Sequence, residues 1–209
     1  MRRRGKLTEQ LAPTASQKGW IRIDFNQAVW IPCLPVFPKG HDLKSWSALY
    51  AEHWWEASGL EHGKRQVDAL RRSLEYLHEF AYSQLPCHMA LIHLPSPGMV
   101  PLLVGFGVWQ AEGDRVTQLR RLAHADEPDA MEPPIVEECF TEKLGSGLKC
   151  LCYLRQPESV VSGSLNYAWR SEPLETAVRM FTSCPDLSRL QRAMPDIEAL
   201  TQVISFVQR

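Results

Sequence analysis

Leu165-Asn166-Tyr167-Ala168-Trp169-Arg170 decides how this chain folds. Leu165, Tyr167 and Trp169 fall on one side of an extended backbone, and Asn166, Ala168 and Arg170 on the other. That period of two is the signature of a strand with two different faces. Strand-like segments at 135–143 and 148–154 precede it, and another at 175–183 follows. Within 148–154, Lys149, Leu151 and Tyr153 oppose Cys150, Cys152 and Leu154. Gly145-Ser146-Gly147 supplies the backbone freedom of a hairpin between the first two segments. Four consecutive strands joined by short turns predict an antiparallel meander. After it, Pro185-Asp186-Leu187 begins one helical turn and Pro195-Asp196 a second. Ile197, Leu200, Ile204 and Val207 then form the apolar stripe of a closing helix.

Upstream, residues 88–94 and 100–109 read as two more strands around Pro95-Ser96-Pro97-Gly98. The second is apolar on both faces, which predicts a central place in a sheet, and Gly105 and Gly107 leave room there for a close neighbour or a bulge. Residues 115–123 read as a further strand, and the acidic, proline-containing stretch 124–134 as a loop. Near the start, residues 19–25 alternate, with Trp20, Arg22 and Asp24 opposite Ile21, Ile23 and Phe25. Pro32, Pro35 and Pro38 make 31–38 an extended connector or a sheet edge, because proline cannot donate to a ladder.

Asp42 is placed to cap a helix running to Ala57, whose apolar face carries Leu43, Trp46, Tyr50, Trp54 and Ala57. Neighbouring helical residues diverge by about 100°. Trp54 and Trp55 are therefore not both directed into one core, and Trp55 is expected at the border of the face or in another contact. Gly59 and Gly63 separate this helix from one over 64–83, with Val67, Leu70, Leu74, Leu77 and Ala81 on its inner face. The expected fold class is α+β: a mainly antiparallel sheet of six to eight strands flanked by helices. One such domain is expected over 19–209, behind a loosely attached basic tail over 1–18.

Composition narrows the function classes. The 209 residues are 44% hydrophobic and 22% charged with a formal net charge of −1, so no broad field attracts nucleic acid or an anionic membrane. Arg2-Arg3-Arg4-Gly5-Lys6 is not followed by the apolar segment of an export signal. No apolar run reaches the roughly 20 residues that a bilayer requires. A soluble, cytoplasmic protein is expected, and its six cysteines read as free, largely buried thiols.

Local motifs supply little chemistry. Cys150 and Cys152 put two soft ligands on one side of a strand, but a tetrahedral zinc site needs two more, for which Cys139 and Cys184 are the candidates. A Cys–His nucleophilic pair would have to be assembled by folding, from Cys87 or Cys139, with nothing local to favour a thiolate. Glu137 and Glu138 point to opposite faces of their strand, so they do not form an acid/base pair. Gly145-Ser146-Gly147-Leu148-Lys149 lacks the spacing of a phosphate loop and leads into a strand, so a hairpin turn is the reading. Seven tryptophans remain, and indoles are frequent interface anchors. Trp30 and Trp55 are the candidates for an exposed, binding indole.

The order of elements is similar to that of the Mog1/PsbP-like α/β/α sandwich found in small actinobacterial proteins. The early strand 20–25, the helix with Trp46 and Trp54, and Glu138-x-x-Thr141-x-x-x-Gly145-x-Gly147-Leu148 carry the resemblance, with 165–170 and the elements after it. It implies a binding or assembly role and lends no catalytic residues. The resulting expectation is a non-enzymatic binding module whose partner is another protein, with no cofactor, no nucleic acid and no membrane. The alternatives are an enzyme whose site forms only in three dimensions, or a small-ligand carrier using the space beside Gly105 and Gly107.

Overall fold

The computed structural model describes residues 16–156 and 160–209. Its strands are β1 (Gly19–Ile23), β2 (Trp30–Cys33), β3 (Met89–His93), β4 (Leu102–Gln110), β5 (Ile135–Thr141), β6 (Gly145–Arg155), β7 (Val161–Ser171), β8 (Thr176–Cys184) and β9 (Ile204–Gln208). Four helices accompany them among the described residues: α1 (Leu43–Ser58), α2 (Lys64–Gln84), α3 (Arg115–Leu122) and α4 (Leu187–Gln202). A seven-stranded antiparallel sheet has the order β2-β3-β4-β8-β7-β6-β5, and β1 and β9 form a separate antiparallel pair. The α+β class, the antiparallel sheet and its strand number agree with the sequence. So does the central place of β4, buried along nearly its whole length. The chain divides into two compact units, residues 26–105 and residues 106–209 with 16–25.

In the unit of residues 26–105, β2 is the edge strand anticipated from its prolines, with Pro32 opposite Leu91 of β3. Helix α1 starts where Asp42 predicts. The Asp42 carboxylate accepts from the Ser45 amide at 2.8 Å, and the Asp42 amide donates to Ser45 Oγ at 2.8 Å, a reciprocal capping box. Gly59, at φ 65°, ends the helix in the left-handed conformation that glycine adopts without strain. Helix α2 is tied to the segment after β2 by His78 Nε2 at 2.8 Å from Leu34 O, and by Tyr82 OH donating to Cys33 O at 2.5 Å. Ile31, Trp46, Leu74, Ile92 and Leu94 are central to the core.

In the second unit, β5 to β8 form the expected meander, with Cys150 opposite Asn166 and Asn166 opposite Phe181. Gly147 stands opposite Trp169, and a methyl group at Gly147 would lie 2.5 Å from the indole. Only glycine allows that ring to cross the neighbouring strand.

Two expectations need correction here. Residues 115–122 are helical, not a strand. Asp114 Oδ2 accepts from the Thr117 amide at 2.8 Å and caps the helix, Leu119 and Leu122 are buried three residues apart, and Val116 is 62% exposed. The end of the chain differs as well. Pro195 does not begin a new helix but lies inside α4, which Asp186 caps at its start. Leu190, Ala193, Ile197 and Leu200 form one buried face across the proline, and that continuous packing outweighs the hydrogen bond proline cannot make. Ile204 and Val207 are not helical. They pair with Ile23 and Trp20 as part of β9.

Of the expected basic tail, residues 1–15 lie outside the described residues. Ser16 is buried with its hydroxyl 2.7 Å from Thr176 Oγ1, Lys18 pairs with Glu175, and Lys18 O accepts from the Arg209 amide at 3.1 Å, so residues 16–18 are anchored. No helix among the described residues is long and apolar enough to cross a membrane.

Candidate functional site

A pocket of about 380 Å³ opens in the unit of residues 26–105. Its position follows from local rules. Residues 53 and 57, like 54 and 58, are one helical turn apart, so α1 presents His53, Trp54, Ala57 and Ser58 along one strip. Opposite lie Gln27 and Ala28, in a turn where Asn26 Oδ1 accepts from the Ala28 amide at 3.0 Å, and the Val29 and Trp30 amides donate to Asn26 O at 3.2 and 3.1 Å. Pro95 and Pro97 form a further wall, and the Met99 amide closes that turn onto Ser96 O at 3.0 Å.

Trp54 is the fixed point of the site. Its indole Nε1 donates to Leu94 O at 2.6 Å, and the Leu94 amide donates to Val29 O at 2.8 Å. One hydrogen-bonded path therefore connects all three walls. His53 stands edge-on to the Trp54 ring with centroids 5.9 Å apart. No lysine, arginine, aspartate or glutamate lines the pocket. The arrangement suits an uncharged guest with an apolar body and a few polar atoms, which Gln27, Ser58 and His53 can meet by hydrogen bonds.

Neither tryptophan singled out from the sequence is exposed. Trp30 is 3% exposed and packs against His93 at a ring separation of 4.8 Å. Trp55 is 8% exposed and stacks on His62 at 5.5 Å, which satisfies the anticipated separate contact but as a buried one. The divergence of adjacent indoles is real, yet two different sets of neighbours cover both. The space anticipated beside Gly107 is also taken: a methyl group there would lie 1.8 Å from the Trp109 ring, which fills it. Gly105 is buried within β4. Sequence reasoning thus missed Trp54 and His53. The spacing of 53, 54, 57 and 58 marked a shared strip, but the Leu94 carbonyl that fixes the indole is 40 residues away.

No protein-family model matches the chain, and no curated protein matches it. The chemistry therefore rests on geometry alone.

Three thiols, those of Cys33, Cys87 and Cys139, are held in their neutral form. Burial pushes Cys33 up to about 12, with Cys87 adding to the effect, and pushes Cys87 itself up to about 11. Burial likewise raises Cys139 to about 11. Neither Cys87 nor Cys139 has the surroundings of a nucleophilic thiolate. The four-cysteine zinc site is not assembled either: among the described residues no group of three or more His, Cys, Asp or Glu could hold a metal ion. Glu137 is a rim charge, 3.5 Å from Lys149, which also pairs with Glu198 at 2.9 Å.

In the unit containing residues 106–209, Cys150 and Cys152 lie instead beside a buried polar cluster. Asn166 Oδ1 accepts from Arg179 Nε and Nη2 at 3.2 and 2.7 Å, and Asn166 Nδ2 donates to Ser164 Oγ at 3.1 Å. Burial lowers Arg179 to about 10. His124, a non-glycine residue at φ 56°, has Nδ1 2.8 Å from Glu127 Oε2. Burial and then the Arg179 charge hold its pKa below the ordinary histidine value.

Proposed function

We propose that this chain is a non-catalytic binding protein and that the pocket beside Trp54 receives an uncharged, partly apolar group presented by another protein. The observation that carries the reading is the pocket itself: about 380 Å³, walled by Trp54, Pro95 and Pro97, with its indole locked to Leu94 O. Rigid aromatic and proline walls with few polar handles give contact area at low entropic cost. The raised thiols support a binding role over nucleophilic catalysis, and the resemblance to the Mog1/PsbP-like sandwich supports it too.

A small-molecule carrier is the second reading, favoured by the pocket volume, which lies in the range of about 300–1,000 Å³ common for small ligands. One pair of measurements separates the two. A photo-crosslinking residue at position 53 should capture a discrete protein partner, and Ala57→Trp, which fills the exposed mouth, should abolish capture while leaving the melting temperature unchanged. Saturable quenching of tryptophan fluorescence by uncharged metabolites, lost in the same variant, would establish the carrier instead. Crosslinking that persists in Ala57→Trp would refute a role for the pocket.

A further inference from the structure

We propose that the outer face of α2 is an isologous interface, covered in solution by the same face of a second copy of this chain laid antiparallel to it. No residue lining the pocket lies on α2, so the interface stands apart from the pocket reading. The inner face of the helix belongs to the core: Leu70, Leu74 and Ala81 are buried, and Val67 and Leu77 pack against the same cluster. On the opposite side Arg65, Ala69, Arg72, Tyr76, Glu79 and Ser83 are all exposed. They recur at alternating spacings of four and three, which holds them in one strip along the helix. Phe80, one turn beyond Tyr76, borders that strip. Tyr76 is 65% exposed and Phe80 37%, and their rings stack on each other at 6.1 Å with an interplanar angle of 15°. Two stacked rings facing water in the middle of such a strip offer a second helix a contact of large apolar area.

Charge selects the occupant. Asp68 is engaged by Arg71 at 3.6 Å, and Glu75 accepts from the Ser47 hydroxyl at 2.9 Å. Arg65, Arg72 and Glu79 make no ion pair among the described residues. Both arginines precede Tyr76 and the glutamate follows it, so the strip is basic toward its N-terminal end and acidic toward its C-terminal end. A second α2 laid antiparallel brings Arg72 of each copy opposite Glu79 of the other, two equivalent pairs from one two-fold axis. The axis then passes midway between positions 72 and 79, beside Tyr76, so the two tyrosines meet at the centre. Phe80 of one copy comes beside the Arg72 guanidinium of the other, a cation–π contact. A parallel arrangement would set arginine against arginine and glutamate against glutamate, and repulsion rejects it. The face carries its own complement, which is the reason to place a second copy there. One 21-residue helix, about 31 Å long, laid on another gives an interface at the small end of the specific range, so the dimer dissociates on dilution.

Sedimentation velocity of the full chain should show monomer at about 1 µM and a growing share of dimer toward about 100 µM. Tyr76→Ala should weaken association by about tenfold or more, and the melting temperature of the dilute chain should hold because the ring is exposed. Arg72→Glu and Glu79→Arg should each weaken it by about tenfold, and the double variant carrying both should recover the dimer. Oxidation reads the geometry. Tyr76→Cys, beside the axis, should link two copies through a disulfide, whereas Arg65→Cys, about 30 Å from its counterpart, should give no more than the unmutated chain. A chain that stays monomeric at every concentration, even one whose α2 face takes up a different protein, would overturn the proposal. So would a dimer indifferent to Tyr76→Ala, a double charge variant that fails to recover, or equal linking from positions 65 and 76, the mark of a parallel pair or a random encounter.

Discussion

Trp54 and Trp55 are adjacent in sequence and both buried, yet they serve different ends. Trp55 stacks on His62, whereas Trp54 donates to a backbone carbonyl and becomes a pocket wall. Replacing Trp54 by Phe keeps an aromatic ring and removes the donor, leaving Leu94 O without that partner. A buried acceptor deprived of its hydrogen bond costs about 1–3 kcal/mol. Urea denaturation of Trp54→Phe should show a loss of that size, with the slope against denaturant unchanged. The sequence announced a difference between the two indoles but not which one would meet a cavity. Helical spacing fixes direction around an axis, whereas the Leu94 carbonyl reaches Trp54 only through the fold. The same limit applies to Arg179, whose partner Asn166 comes from the adjacent strand and whose polarity on an inward face carries no signal in one sequence.

Elements were legible where their signals are local. Asp42 and Ser45 announce the start of α1, and the alternation of 165–170 announces β7. The signal failed at α3, because eight residues hold too little periodicity to separate a strand from two helical turns once Leu119 and Leu122 are the only buried apolar side chains. At α4 it failed for the opposite reason. Pro195 reads as a breaker, but the apolar face on either side of it keeps the helix continuous. Gln191, whose carbonyl loses its helical donor, is exposed, so water satisfies part of what proline removes. Pro195→Ala restores that donor. The variant should be more stable by about 1–3 kcal/mol, measured by thermal or urea unfolding, and a loss of stability would mean that the proline shapes the helix for packing.

Across the molecule, the buried thiols link folding to alkaline pH. Burial pushes Cys33 up to about 12 and Cys87 and Cys139 up to about 11, from an ordinary value of 9.0. Above pH 9 the unfolded chain releases these protons while the folded chain retains them, so the unfolded state is favoured. The contribution is fully present below pH 9 and is lost as pH rises through the native values. Denaturation midpoints should fall steadily between pH 9 and 11, and Cys33→Ala should flatten that fall. The antiparallel sheet and the central β4 were readable from composition and alternation. The pairing of β1 with β9 was not, since strands so far apart in the chain carry no shared local pattern.

That pairing has a consequence for synthesis in the cell. Ile23 waits for Ile204, about 180 residues later in the order of translation, before its ladder closes. While β6 to β8 can form hairpins as they emerge, β1 stays single until almost the whole of this sequence has been made. Its inward-facing Ile21, 3% exposed in the finished fold, lacks that cover in the meantime. Nascent chains halted before β9 would therefore present an unpaired strand edge, a surface that chaperones and proteases both engage.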